Sequence, residues 1–152
     1  MTTLRVLGVG AGYFSQFQYL GWRNIAGVEC VGIANRDAGK ARALADRYGI
    51  RDVYTDLAAA LDATRPDLVD IITPPETHRA FVALCVDRGI PAIYQKPFGR
   101  DWADAVAIAT TKPNVHLELS MWQGVGDITP PTFVDAITFM RDRVGVDRLL
   151  FG

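Results

Sequence analysis

The sequence predicts a doubly wound parallel α/β sheet with helices on both faces, and three observations predict it. Short apolar runs alternate with amphipathic segments almost from end to end. The runs are hydrophobic on both alternating faces, as parallel strands covered by helices on two sides should be. A glycine-rich turn, Gly10-Ala11-Gly12-Tyr13-Phe14-Ser15, joins the first run to the first amphipathic segment. The expected architecture is one three-layer α/β/α domain over residues 1–152. Its strand order is 3-2-1-4-5-6-7, with the reversal beside the first strand that this fold class requires.

Taken in chain order, the strands are expected at 5–9, 30–34, 53–54 (weakly), 68–72, 91–94, 115–119 and 148–151. Each is a short apolar run bounded by turn residues. Between them, segments 13–24, 38–48, 57–63, 76–88, 102–110 and 132–144 are apolar at three- and four-residue spacing and read as helices. Gly49 and Gly89 stand where the second and fourth helices should stop. The turn-rich stretch 123–131 reads as a surface loop, with Pro131 suited to a first helical position.

Composition sets limits on function. Hydrophobic residues at 49% and charged residues at 22% are ordinary for a globular chain of 152 residues. A net charge of −1 without runs of one sign argues against nucleic acid or an anionic membrane as partner. The first residues, Met1-Thr2-Thr3-Leu4-Arg5, show no basic and apolar export pattern, so a cytoplasmic location is expected. Cys30 and Cys85 each sit in an apolar pattern and read as reduced core thiols. His78 and His116 are not joined by cysteine or carboxylate at zinc-ligand spacing, so no metal site is expected. Ser15 and Ser120 lie in no nucleophile elbow, and His116 alternates with Val115 and Leu117 as a strand residue does.

The glycine turn has a physical task. Gly10 permits a tight turn, Gly12 lets the backbone approach a pyrophosphate without a Cβ in the way, and the helix N-terminus meets phosphate charge. Ser15 holds the place of the third glycine and is small enough for close helix–strand packing. Glycines also serve ordinary strand–helix turns, but this one lies at the first βα junction with a second strand ending some twenty residues on. That strand ends in Asn35-Arg36-Asp37. Asn35 can bond a ribose hydroxyl without repelling a 2′-phosphate, and Arg36 can pair with that phosphate, which favours NADP acceptance over strict NAD use. Alternatively, the three residues simply start the next helix, with Asp37 as its cap.

Thr73-Pro74-Pro75-Glu76-Thr77-His78 follows the fourth strand, Gln95-Lys96-Pro97 the fifth, and Arg65-Pro66-Asp67-Leu68-Val69-Asp70-Ile71 leads into the fourth. With Gly10 to Phe14 these motifs resemble the Gfo/Idh/MocA oxidoreductases, whose nucleotide domain is Rossmann-like, over about the first 105–110 residues. The resemblance implies that Gly10, Gly12, Tyr13 and Phe14 cradle the pyrophosphate and that Asn35 and Arg36 select the adenosine ribose. It implies that Thr73, Pro74, Pro75 and His78 line the middle of the dinucleotide and that Lys96 and Pro97 lie beside the nicotinamide. Gln95 stands where an acidic residue is commoner. A lysine at the place of Lys96 would assist proton transfer at a substrate hydroxyl; without the resemblance, Lys96 reads as an exposed loop residue.

From about residue 111 onward, Pro113 to Trp122 and the ending Gly145-Val146-Asp147-Arg148-Leu149-Leu150-Phe151-Gly152 resemble a strand–helix–strand fragment of the metal-dependent amidohydrolase barrels. The metal-linked aspartate that follows the Phe-Gly pair in that family is not reached. The resulting expectation is an engineered chimera that binds NADP or NAD without turnover, with no catalytic residue beyond a vestigial Lys96. The alternatives are an atypical or truncated oxidoreductase acting on a sugar or polyol with a partner chain, and a recombined fold that has lost its cofactor. A barrel strand placed at a new sheet edge exposes backbone groups, so a homodimer through the C-terminal edge is expected as well.

Overall fold

The computed structural model describes residues 2–110, 115–118, 135, 138–139 and 141–150. These fall into two compact units, residues 1–96 and 97–152. The expected loop 123–131, Ser120 and the terminal Phe151-Gly152 lie outside the described residues.

The first unit is built on five parallel strands, β1 (Leu4–Val9), β2 (Val28–Ala34), β3 (Val53–Tyr54), β4 (Leu68–Ile71) and β5 (Ala92–Tyr94), in the order β3-β2-β1-β4-β5. Their connections are the helices α1 (Ser15–Arg23), α2 (Ala38–Tyr48), α3 (Leu57–Thr64) and α4 (His78–Asp87). Helices α1 and α2 touch each other, as do α3 and α4, so right-handed crossovers set one pair on each face of the sheet. Coverage on both faces explains why the central strands bury apolar side chains on both: Val6, Leu7, Val9, Ile33, Val69 and Ile71 are all buried. The parallel three-layer sheet is thus the expected fold, and its order reverses between β1 and β4.

Local chemistry explains the boundaries. Asp37 caps α2 by accepting from the Lys40 amide at 3.1 Å, and Asp56 caps α3 through the Ala59 amide at 2.8 Å. Helix α2 stops at Gly49, in the left-handed region at φ 73°. The fourth helix was expected from residue 76, but Pro75–Thr77 forms a 3-10 turn and α4 begins at His78. Pro74 and Pro75 fix the chain there, and the Thr77 hydroxyl donates to the Pro74 carbonyl at 2.8 Å, tightening the turn before a full helical repeat can form.

One packing contact has no counterpart in the periodicity of the sequence. Tyr19 of α1 is fully buried and its ring lies against Gly8 of β1; a Cβ at Gly8 would stand 2.2 Å from that ring. One turn further along α1, the Trp22 indole donates to Oδ2 of Asp70 at 2.7 Å. Asp70 lies in the middle of β4, directly beside Gly8, and is itself fully buried. Its other oxygen, Oδ1, is buried without a hydrogen-bond partner. Burial pushes the Asp70 carboxyl above its ordinary value of 3.8, against the opposing pull of the Trp22 hydrogen bond.

In the second unit, Asp101 caps α5 (Trp102–Ala109) through the Asp104 amide at 2.8 Å, and the buried Asp104 accepts from the Arg100 amide at 3.1 Å. Residues 135, 138–139 and 141–144 are helical, within the expected 132–144. Val106, Ala109 and Val144 form a small core against Phe98, Val115 and Phe139. Arg148 ties it together by donating to the carbonyls of Ala109 at 2.9 Å and Val144 at 2.7 Å. Strands β6 (Leu117–Glu118) and β7 (Leu149–Leu150) pair in parallel with one another in a sheet of their own. The expected sixth and seventh positions in the main sheet are therefore corrected: its order ends at β5 among the described residues. Two-residue strands form too short a ladder to have been placed from an apolar run alone.

Two outcomes follow for stability. Gly8→Ala forces a methyl into the Tyr19 ring and should lower unfolding free energy by about 1–3 kcal/mol, measured by urea titration. A variant as stable as the parent would show that the ring yields freely. For Asp70 the charged form is the disfavoured one in the folded chain, so its stabilising contribution is complete below the ordinary value of 3.8 and is lost as pH rises through the raised folded value. Asp70→Asn should therefore gain stability relative to the parent chain as pH goes from 4 to 7 in thermal melts. A difference that is flat with pH would refute the assignment.

Candidate functional site

The strand order reverses between β1 and β4, and folds of this class bind their ligands in a crevice outside the carboxyl ends of the strands at that point. The residues singled out in the sequence border that crevice from four strands. Gly10 follows β1, Asn35 follows β2, Thr73 comes two residues after β4, and Gln95 and Lys96 follow β5. Pro97 is the first residue of the second unit.

The turn after β1 is held atom by atom. The Gly10 amide continues the ladder by donating to the Ala34 carbonyl at 2.9 Å. Gly10 has φ +124°, a conformation open to glycine and costly for other residues, and a Cβ there would lie 3.1 Å from the Ile72 carbonyl. Its own carbonyl accepts from the Tyr19 hydroxyl at 2.8 Å, and the next amide, Ala11, donates to Asn35 Oδ1 at 3.1 Å. Gly12 is exposed and nothing stands within 4 Å of where its Cβ would be. Tyr13 and Phe14 are exposed too, at 80% and 49%, and both rings pack on Phe17. Ser15, buried at the place of the third glycine, donates its hydroxyl to the Gly12 carbonyl and closes the turn. Phe14 caps α1 without a side-chain hydrogen bond, and no acidic residue occupies the first turn. The helix therefore presents its positive dipole end without an acidic side chain against it, although the Ser15 and Phe17 amides are bonded to the Gly12 and Phe14 carbonyls.

At the end of β2, the Asn35 amide group works at both ends: Oδ1 on Ala11, and Nδ2 donating to the Asp37 carbonyl at 2.8 Å. Arg36 is exposed. Asp37 is engaged as the α2 cap, as the helix-start alternative expected, while Asn35 is tied to the glycine turn.

After β4 a relay of hydroxyls sets the loop. Thr77 spends its hydrogen on the Pro74 carbonyl, so in the 2.6 Å contact between Thr73 and Thr77 the Thr73 hydroxyl donates. Pro74 is exposed and Pro75 half-buried. His78, by contrast, is fully buried. Its Nε2 donates to the Thr73 carbonyl at 2.7 Å, and its ring meets the edge of Tyr94 at 5.4 Å between centroids. His78 therefore supports the loop from below. Gln95 is half-buried, its amide bonded to the Ile71 carbonyl at 3.0 Å, and Lys96 is exposed.

Sequence reasoning passed over Gly8, Tyr19 and the Asp70–Trp22 pair, which shape the turn from beneath. A glycine in a central strand and an acid within an apolar one were the available signals. Cys30 and Cys85 are free thiols whose values burial raises to about 11, and neither borders the crevice. Among the described residues no cluster of side chains is arranged to hold a metal ion, and no helix is long and apolar enough to cross a membrane.

An uncancelled helix end, an open glycine and a switch-point crevice fit a dinucleotide, and comparison with known proteins agrees. The sequence pattern of the oxidoreductase family with NAD-binding Rossmann fold, Gfo/Idh/MocA, matches residues 4–121. A D-apiose dehydrogenase from Rhizobium rhizogenes is 33% identical over 137 residues, covering 90% of this chain and 40% of that enzyme. Another, from Paraburkholderia graminis, is 41% identical over 100 residues, which are 66% of this chain and 27% of the relative. An oxidoreductase from Agrobacterium radiobacter, solved with NAD+, L-tartaric acid and magnesium, superposes with a TM-score of 0.69 at 34% identity, over 72% of this chain and 32% of its own. The chain thus spans well under half the length of these relatives.

These findings correct the reading of the C-terminal residues. An alignment of 137 residues cannot fit within 1–110, so residues 111–137 of the segment assigned to an amidohydrolase barrel align with the same dehydrogenase as the rest. The engineered chimera with binding but no turnover is overturned with it, and the homodimer loses its premise of an orphaned barrel edge. From residue 4 to at least residue 121, this chain belongs to the Gfo/Idh/MocA oxidoreductase family and carries its NAD-binding Rossmann fold.

Proposed function

We propose that this chain is the cofactor-binding part of an NAD-dependent oxidoreductase that moves a hydride between nicotinamide and a sugar or polyol carbon. The observation that carries the reading is the glycine turn at the switch point, with Gly10 at φ +124° and open space at Gly12, ahead of an uncapped α1. The names of the relatives, D-apiose dehydrogenases among them, support the substrate class.

When bound, the cofactor supplies the hydride acceptor or donor. The residues of the chain do the rest. Amides of the turn and the first turn of α1 receive the pyrophosphate between Gly10, Gly12, Tyr13 and Phe14. Asn35 faces the adenosine ribose with the hydrogen-bonding capacity left over from Ala11 and Asp37, and Arg36 stands beside it. Thr73, Pro74 and Pro75 border the middle of the dinucleotide, with His78 fixing Thr73 from below. Lys96 takes or returns the proton of the substrate hydroxyl, with Gln95 as its neighbour. Because Asn35 carries no charge to repel a 2′-phosphate, NADP is accepted alongside NAD.

Calorimetry should give dissociation constants in the micromolar to millimolar range, about −8 to −4 kcal/mol, for both cofactors and within about tenfold of one another. Asn35→Asp should shift that preference toward NAD. Gly12→Val adds its side chain to open space, so melting should move by less than about 0.5 kcal/mol while binding weakens at least tenfold. No heat and no thermal shift with either cofactor would defeat the cofactor assignment.

Cofactor reduction by pentoses or cyclitols tests the substrate class, and Lys96→Ala should slow it by about 10²–10⁴-fold with little change in cofactor affinity. Because the chain is read as the cofactor-binding part alone, the assay belongs in an enzyme that also carries the substrate-binding part. Binding there without sugar- or polyol-dependent reduction would leave the fold assignment intact and remove the substrate class.

A further inference from the structure

We infer that Tyr19 is a positioning residue for the cofactor turn: with Asn35 it clamps the two ends of a single peptide plane, the one joining Gly10 to Ala11. The carbonyl of that plane accepts from the Tyr19 hydroxyl at 2.8 Å, and its amide donates to Asn35 Oδ1 at 3.1 Å. One residue earlier, the Gly10 amide is held by the Ala34 carbonyl. Three consecutive backbone groups are thus fixed from two directions: the end of β2, through Ala34 and Asn35, and helix α1, through Tyr19. A glycine at φ +124° has neighbouring conformations within easy reach, and its flanking peptide is free to swing unless something holds it. Swinging this plane re-aims every amide that follows it, Gly12 included. The clamp removes that freedom before any ligand arrives, which is where preorganisation gains affinity.

Three further features make Tyr19 suited to this task. It is fully buried, so its hydroxyl has no water to bond instead. Its ring position is set by the bare Cα of Gly8, which leaves room for the ring and for nothing larger on the strand. Burial first, and then the Asp70 carboxylate and the Cys30 thiolate, push the phenol well above its ordinary value, so it remains a donor throughout the physiological range. Asn35 supplies the opposite jaw from a half-buried position, uncharged and anchored in turn on the Asp37 carbonyl.

The effect on affinity rests on the cofactor reading given above; the clamp itself does not, and the test separates them. In the unliganded chain, Tyr19→Phe should speed amide exchange at Ala11, the bonded amide of the clamped plane, by about tenfold or more while Val6 and Leu7 in β1 remain protected. Calorimetry should show NAD binding weakened about five- to tenfold. Asn35→Ala should weaken binding further, because it also removes the ribose contact proposed above. The double variant should lose less than the sum, because either change alone frees the same plane. Val6→Ala, a buried strand change away from the turn, serves as the stability control and should leave affinity unchanged. If Tyr19→Phe does not fold, Asn35→Ala carries the exchange measurement alone. Unchanged exchange at Ala11 in Tyr19→Phe, or unchanged NAD affinity in that variant, overturns the clamp. A parent chain that binds neither cofactor, yet shows the exchange response, overturns the cofactor reading and upholds the clamp.

Discussion

Helix α1 lies on the sheet at a distance that only a glycine at position 8 allows, and most of the first unit is arranged around that contact. With Gly8 bare, the Tyr19 ring reaches the strand and its hydroxyl reaches past it to the Gly10 carbonyl. The Tyr19 ring in turn belongs to the cluster of Ile33, Ala41, Ala45, Ile50 and Ile72, so β2 and α2 are packed against the same anchor. A parallel sheet can carry such a close helix because its strands need no polar outer face. The cost is a strand residue with no side chain of its own to bury, offset by an aromatic side chain that fills the place from the helix.

Asp70 makes sense only in this setting. A carboxyl in the centre of a parallel strand is expensive to bury, and Trp22 satisfies one oxygen and leaves the other. What the pair gives is register. The indole must sit above Asp70 for the bond to form, and that fixes where α1 lies along β1 and β4 to within the tolerance of a hydrogen bond. An apolar pair at these positions would bury as well and would slide more easily. The directional contact thus specifies where the N-terminus of α1 stands, which apolar packing alone does not.

How much of this the sequence disclosed follows from the range of the forces involved. Strand–helix alternation, the Asp37 cap and the stop at Gly49 are local, written within a few residues, and they were legible. So was the switch-point crevice, since Gly10, Asn35, Thr73 and Lys96 each follow a strand and parallel strands all end on one side. The bonds from Asn35 to Ala11 and from Tyr19 to Gly10 were not legible, because each depends on how closely α1 and β2 approach β1. The burial of His78 was hidden for a related reason: its motif places it at the start of α4, and only the relay from Thr73 to Pro74 decides that the ring turns inward.

The misreading of the C-terminal residues has a different origin. A strand rich in leucine followed by Phe-Gly is what any parallel strand ending in a tight turn tends to contain, whatever the fold around it. Eight residues of that kind identify a βα junction and no more. The strand–helix–strand reading survives in β6, the helical residues up to 144 and β7, which pair in parallel as a crossover unit requires. What does not survive is ancestry inferred from that unit, since the aligned dehydrogenase runs through residues 111–137 without a junction. The four motifs of the first 105 residues fare better: they are separated in sequence, and the family pattern that they pointed to matches residues 4–121. Spread along the chain, not the length of any one stretch, is what made them informative.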